Sequence, residues 1–241
     1  MSHLKKERQK LEDKGIKVSA VILSRDEEQT IVEVVEKAKD YADEVLVVDG
    51  HSRDRTRELA ERAGARVVLD HGKGKGDGYK VGLSEARGEV VVFLDADGSH
   101  NPVEIPKLSE SILNGNFDLV IGSRWRGGSD DIHPNFNHLI RDLGGNILSI
   151  IISFWFKTEI TDCLHGFRAI RREKGLGLNL SANDFDIEHE MVIKSLKKGY
   201  RVGEVPVHEY ARKGGMSKLP TFRKAHIFLF RLVLELLRGN K

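Results

Sequence analysis

The chain has 241 residues, enough for one α/β domain with a substantial core, and its 39 Lys+Arg against 37 Asp+Glu leave a net charge of +2. That balance excludes a nucleic-acid partner held by global electrostatics, so any anion must be bound by local groups. Its single cysteine, Cys163, excludes an intramolecular disulfide and a cysteine-built metal centre, and it fits a reducing, cytoplasmic compartment.

Met1 to Lys17 is highly charged and lacks the apolar stretch of a secretion signal. We read residues 1–16 as an extension, 17–218 as the domain and 219–241 as a C-terminal amphipathic helix. Runs rich in Val, Ile and Leu predict strands over Val18–Leu23, Glu44–Asp49, Ala65–Leu69, Glu89–Asp95 and Phe117–Gly122. Helical patterns lie between them, over Glu28–Tyr41, Arg53–Ala63, Gly78–Ala86 and Pro102–Leu113. This alternation predicts an α/β fold with a mostly parallel central sheet and helices on both faces. Right-handed crossovers then gather the loops that follow the strands along one edge, where such sheets bind ligands. Beyond Gly122 the expected elements are a polar loop from Arg124 to Asn137, a helix near His138–Lys157 and a turn at Cys163–Phe167. A helix at Ile187–Lys198, a strand at Arg201–His208 and a basic loop at Arg212–Lys218 follow. No run approaches the roughly 20 apolar residues that span a bilayer. Ile147–Phe156 and Ile227–Leu237 read as interfacial, core or dimer helices.

Leu94-Asp95-Ala96-Asp97 follows Val90-Val91-Val92-Phe93 directly. Carboxylates at i and i+2 at a strand's end can share one hard divalent cation, Mg2+ or Mn2+, because the turn lets both point toward it. Such an ion would bridge a diphosphate and neutralise charge on a leaving group; the alternative is an acidic turn with a helix cap at Ser99. Asp49 ends the second strand, where a carboxylate suits hydrogen bonding to a base or ribose, whereas Ser52 or Asp54 suits a cap on the next helix. No G-x-G-x-x-G follows the first strand, which disfavours a dinucleotide-binding dehydrogenase. Gly72-Lys73-Gly74-Lys75-Gly76-Asp77-Gly78 either cradles a phosphate, with Lys75 among its charges, or is a surface loop. Arg124 ends the fifth strand on the ligand edge, where a guanidinium takes a phosphate in bidentate fashion. Arg126, Arg141, Arg168, Arg212 and Lys218 either converge on an anionic acceptor or are solvated.

In their order, Ser24-Arg25-Asp26-Glu27, Val48-Asp49, Gly74 to Gly82, Asp95-Ala96-Asp97, Gly122-Ser123-Arg124, Asp162 with Gly166-Phe167-Arg168, Phe185-Asp186-Ile187-Glu188, Glu204-Val205-Pro206-Val207 and Ser217-Lys218 resemble the family 2 glycosyltransferases of the GT-A fold. The nearer resemblance is to the dolichol-phosphate mannosyltransferase and polyprenyl-phosphate glycosyltransferase branch, over about Val18 to Lys218. It implies that Glu27 and Asp49, with Ser24, Arg25 and Lys75, hold the donor nucleotide, and that Asp95 and Asp97 hold the metal on its diphosphate. Arg124, Arg141, Arg212 and Lys218 would surround the donor and acceptor phosphates. Ser99 stands where a glutamine often completes the metal shell.

The implied reaction is inverting transfer of a hexose (mannose, glucose or N-acetylglucosamine) from a GDP- or UDP-linked donor to a dolichyl or polyprenyl phosphate. An ionised phosphate acceptor needs no general base. For a hydroxyl acceptor, Asp186 or Glu188 would take the proton, although both also suit a helix N-terminus. The apolar runs favour the lipid, with the enzyme peripheral on the cytoplasmic face of a membrane. The competing readings are a soluble transferase acting on a small-molecule or saccharide hydroxyl, a nucleotidyltransferase and a non-catalytic sugar-nucleotide binder. A monomer and a homodimer fit equally.

Overall fold

A computed structural model describes residues 17–130, 136–213 and 221–237, with the backbone alone at 136–142 and 221–225. The five predicted strands form as β1 (Val18–Ser24), β2 (Glu44–Asp49), β3 (Arg66–Leu69), β4 (Val90–Asp95) and β5 (Leu119–Ser123). Their alternate residues enter two separate apolar layers. Ala20, Ile22, Val45, Val47, Val92 and Leu94 face α1 (Ile31–Lys39) and α4 (Ile105–Leu113), where Val34, Val35, Leu108 and Ile112 are buried. Val21, Leu46, Val48, Val91 and Phe93 face α3 (Lys75–Glu85) and α8 (Ile187–Lys197), through Tyr79, Leu83, Met191 and Val192. Burial on both faces is why the strands read as continuous apolar runs. A short helix, α2 (Thr56–Arg62), links β2 to β3.

The second half adds α5 (Arg124–Gly127), α6 (Phe136–Phe156), β6 (Arg168–Arg171), α7 (Arg172–Leu176), β7 (Val202–Pro206) and α9 (Thr221–Leu237). The sheet has seven strands in the order β3-β2-β1-β4-β6-β5-β7. All pairs are parallel except those of β6, which runs antiparallel between β4 and β5. From the adjacent strands β1 and β4 the chain departs toward opposite edges of the sheet. Their carboxyl ends therefore flank the switch point at which open α/β sheets form a ligand crevice.

Two expectations are corrected. β6 was not expected, because four residues with arginines at both ends lack the pattern of a buried strand. Arg168 is nonetheless fully buried. Its guanidinium donates to the carbonyls of Cys163, His165 and Glu188, so the cation is satisfied without water. The helix expected from Gly78 starts instead at Lys75. A side chain at Gly76 would meet the Ala182 carbonyl oxygen at 2.7 Å, and Gly74 has a φ of +120°. Glycine is thus what lets this turn press against residues 182–184 and begin the helix.

α8 and α9 pack through His189, stacked on Phe228 with 5.6 Å between ring centroids. Burial, then Arg231, pushes His189 down to about 3. An unfolded histidine takes its proton near pH 6.5, so acidification from pH 7.5 to 5 favours the unfolded chain, which binds the extra proton. His189→Phe should shrink the stability difference between those pH values by about 2 kcal/mol, measured by urea unfolding at each pH.

Candidate active site

A cleft of ≈ 390 Å³ opens at the carboxyl ends of β1 and β4. Ser24, Arg25, Glu27, Lys75, Asp95, Asp97 and Arg212, all expected at a ligand site, line it together with Asp70, Asp184 and Phe185. Parallel pairing places Leu23 opposite Asp95 and Ser24 opposite Asp49, so both carboxylates stand at the carboxyl ends of their strands, on one edge of the sheet.

Each carboxylate of the Asp95/Asp97 pair faces a cation. Lys75 Nζ lies 3.0 Å from Asp95 Oδ2 and 3.0 Å from Glu188 Oε1. Arg212 Nη2 lies 2.7 Å from Asp97 Oδ2, and its Nη1 lies 3.8 Å from Glu27. Burial opposes the charge on Lys75, but Asp95 and Glu188 more than offset it and hold the ammonium well above its usual range. Burial likewise raises Asp95, while Lys75 and Arg212 bring it below its usual value, so it is a carboxylate at neutral pH. The other Asp97 oxygen accepts from the Ser99 N–H at 2.9 Å and its hydroxyl at 2.6 Å, which fixes the turn. Ionised oxygen donors at a cleft wall, already attracting two cations, fit a hard divalent ion. Asp95 and Asp97 would hold it.

Asp49 is fully buried and is not among the cleft-lining residues. It accepts from the Ser52 N–H at 2.9 Å, from the Ser52 hydroxyl, and from Ser24 Oγ at 3.4 Å. Asp54, read as structural, accepts from the N–H groups of Thr56 and Glu28 and so ties the start of α2 to the β1 loop. Asp186 is bound by Arg231 Nε of α9 at 2.8 Å and does not line the cleft. Arg168, expected among the cations near an acceptor, is turned into the protein as described above. The Arg141 side chain and Lys218 lie outside the described residues.

Arg124 is taken up by Asp162, which stands with Gly166-Phe167-Arg168 among the motifs of the family resemblance, and by Glu209, which the sequence did not single out. Its guanidinium donates to Asp162 at 2.8 and 2.9 Å and to Glu209 at 3.2 Å. Burial opposes its charge, but Asp162 and Glu209 raise it further than burial lowers it. Arg126 is paired similarly, with Glu204 and Glu159. Asp70, one residue past β3 on the same edge as Asp49 and Asp95, was also missed. The signal that would have found it is an acid at the end of a predicted strand.

Residues 19–175 match the domain described as glycosyl transferase family 2. The chain belongs to that family. It is 35% identical over 221 residues to glycosyltransferase AglJ of Haloferax volcanii, covering 89% of this chain and 69% of that protein. It is 36% identical over 214 residues to the dolichol-phosphate mannosyltransferase of Pyrococcus furiosus, covering 85% of this chain and 59% of that protein's length. The fold is that of glucosyl-3-phosphoglycerate synthase from Mycobacterium tuberculosis, solved with Mn2+, UDP and glucosyl-3-phosphoglycerate. That match has a TM-score of 0.73 at 22% identity and covers 92% of this chain and 80% of that one. This chain is therefore a glycosyltransferase of the GT-A fold.

Removing Asp162 takes two of the three carboxylate hydrogen bonds from the mostly buried guanidinium of Arg124 and leaves it Glu209 alone. Asp162→Ala in the glycosyltransferase should cost about 3 kcal/mol, seen as a lower urea midpoint. Burial raises Asp162, but Arg124 brings it below the usual carboxylate range. Its contribution is therefore complete above the unfolded value and is lost as pH falls through the native one. The variant should accordingly show a shallower loss of stability in acid.

Proposed function

We propose that this glycosyltransferase moves a hexose from a GDP- or UDP-linked donor to a dolichyl or polyprenyl phosphate, with Mg2+ or Mn2+ held by Asp95 and Asp97. The observation that carries the reading is the pair of carboxylates at the strand ends, each facing one cation in a cleft of nucleotide size. A divalent ion on them supplies the charge that stabilises a departing nucleotide diphosphate. Lys75 and Arg212 are then able to turn from the carboxylates to phosphate oxygens, Arg212 in bidentate fashion. Ser24, Arg25 and Glu27 line the part of the cleft assigned to base and ribose, with Asp49 behind them through Ser24 Oγ. An ionised phosphate acceptor attacks the anomeric carbon without a base, so catalysis reduces to positioning and charge stabilisation. Glu188 then serves to hold Lys75.

Two features support a lipid acceptor. The relative from Pyrococcus furiosus is named for dolichol phosphate. α6 and α9 also expose Ile150, Phe154, Phe230 and Leu237, with Phe154 86% and Leu237 75% accessible. Among the described residues no helix is long and apolar enough to cross a membrane, so these side chains suit insertion at its surface. A second reading, a small phosphorylated acceptor, draws support from the neighbour solved with glucosyl-3-phosphoglycerate.

The metal reading predicts that release of nucleoside diphosphate from the preferred donor stops in EDTA and returns with Mn2+. It also predicts that Asp97→Asn lowers kcat/KM at least about a hundredfold; full turnover in EDTA sinks it. The lipid reading predicts co-sedimentation with anionic vesicles that is weakened by combining Phe154→Ser with Phe230→Ser. The double variant should lose activity on polyprenyl phosphate in vesicles while keeping it on a short, water-soluble isoprenyl phosphate. Wild-type protein that ignores vesicles and prefers a small phosphorylated acceptor decides for the second reading.

A further inference from the structure

The backbone N–H of Asp95 donates to Nδ1 of His100 at 3.0 Å. β6 pairs with β4 only as far as Phe93, so at the carboxyl end of the strand a side chain takes over where the ladder stops. The His100 ring is 3% exposed, stacks on Phe167 at 5.2 Å and meets His165 edge-on at 4.9 Å. It is thereby held with Nδ1 toward Asp95. A neutral imidazole has one acceptor nitrogen, and here that lone pair is engaged, so Nε2 carries the proton. His100, His165 and Glu209 bring potential ligand atoms within 4.8 Å of one another.

We infer that His100 is a positioning residue for Asp95, fixing the end of β4 so that the carboxylate meets the divalent ion. This rests on the reading that Asp95 and Asp97 hold that ion. The turn between them is short: Asp97 Oδ1 is held by Ser99, and His100 follows immediately. One segment thus sets the first aspartate through its backbone N–H and the second through its carboxylate. Groups that orient metal ligands from behind typically change affinity ten- to a hundredfold when removed.

Three substitutions separate positioning from packing. Asn places Oδ1 where Nδ1 stands and keeps the acceptor; Gln places its polar atoms at the ε position; Phe keeps the ring and removes the acceptor. Full-length protein is titrated with Mn2+ by electron paramagnetic resonance, and amide hydrogen exchange at Asp95 and thermal stability are followed in parallel. The expected result is that His100→Phe and His100→Gln weaken Mn2+ binding about ten- to hundredfold and speed exchange at Asp95. His100→Asn should stay near wild type in both, even though Phe fills the site better and melts higher. Mn2+ affinity and Asp95 exchange that follow the melting temperature instead of the δ1 acceptor overturn the inference. If wild type binds no Mn2+, the metal reading fails and takes this proposal with it. If wild type binds and His100→Phe binds equally well, the positioning proposal alone fails. Should a variant not fold, the Asn and Gln pair decides on the same two readouts.

Discussion

Negative charge gathered at the carboxyl ends of two adjacent parallel strands is the constraint around which the rest of this glycosyltransferase is arranged. Asp95 and Asp97 sit where β4 ends, and Glu188 faces them from the start of α8. Carboxylates this close raise one another's protonation unless cations intervene. Lys75 and Arg212 intervene, one from the first turn of α3 and the other from the segment after β7. The site thereby joins both halves of the chain through charge.

That arrangement depends on close backbone approach elsewhere. α3 can deliver Lys75 only because Gly74 and Gly76 let its first turn press against residues 182–184. That loop is in turn held by Glu190, which accepts from the N–H groups of Ser181 and Ala182. Arg231, reaching over from α9, donates to Asp186 and to the Ser181 hydroxyl. A polar network at the α8–α9 seam therefore positions the floor beneath Lys75, and the apolar run carrying Arg231 and Glu235 is interrupted by residues that belong to it. Its unbroken outer face presents Phe230 and Leu237.

The parallel strands, their order of appearance and the acidic pair were legible in the sequence, because each is a local matter. Burial on both faces writes itself as a run of β-branched and aliphatic residues, and a carboxylate that ends such a run must emerge at the sheet's edge. Ser24 and Glu27 came forward as site residues only through the family resemblance, Arg212 through it and as one of several scattered cations, and Lys75 from its glycine-rich loop; the fold brings all four to the wall of one cleft. What the sequence could not convey is which opposite charges meet. Arg124, Arg126 and Arg168 look alike as cations in loops or at strand ends. Yet Arg124 is taken by Asp162 and Glu209, Arg126 by Glu204 and Glu159, and Arg168 by three carbonyl groups. The carboxylate partners of Arg124 and Arg126 are tens of residues away, and pairing among many candidates is decided by distance and desolvation in the folded chain. The antiparallel strand β6, too short and too charged to be read locally, and the ring nitrogen of His100 that holds Asp95, belong to the same class. Composition and periodicity determined the layers, and only the tertiary structure decided which charges remain for a ligand.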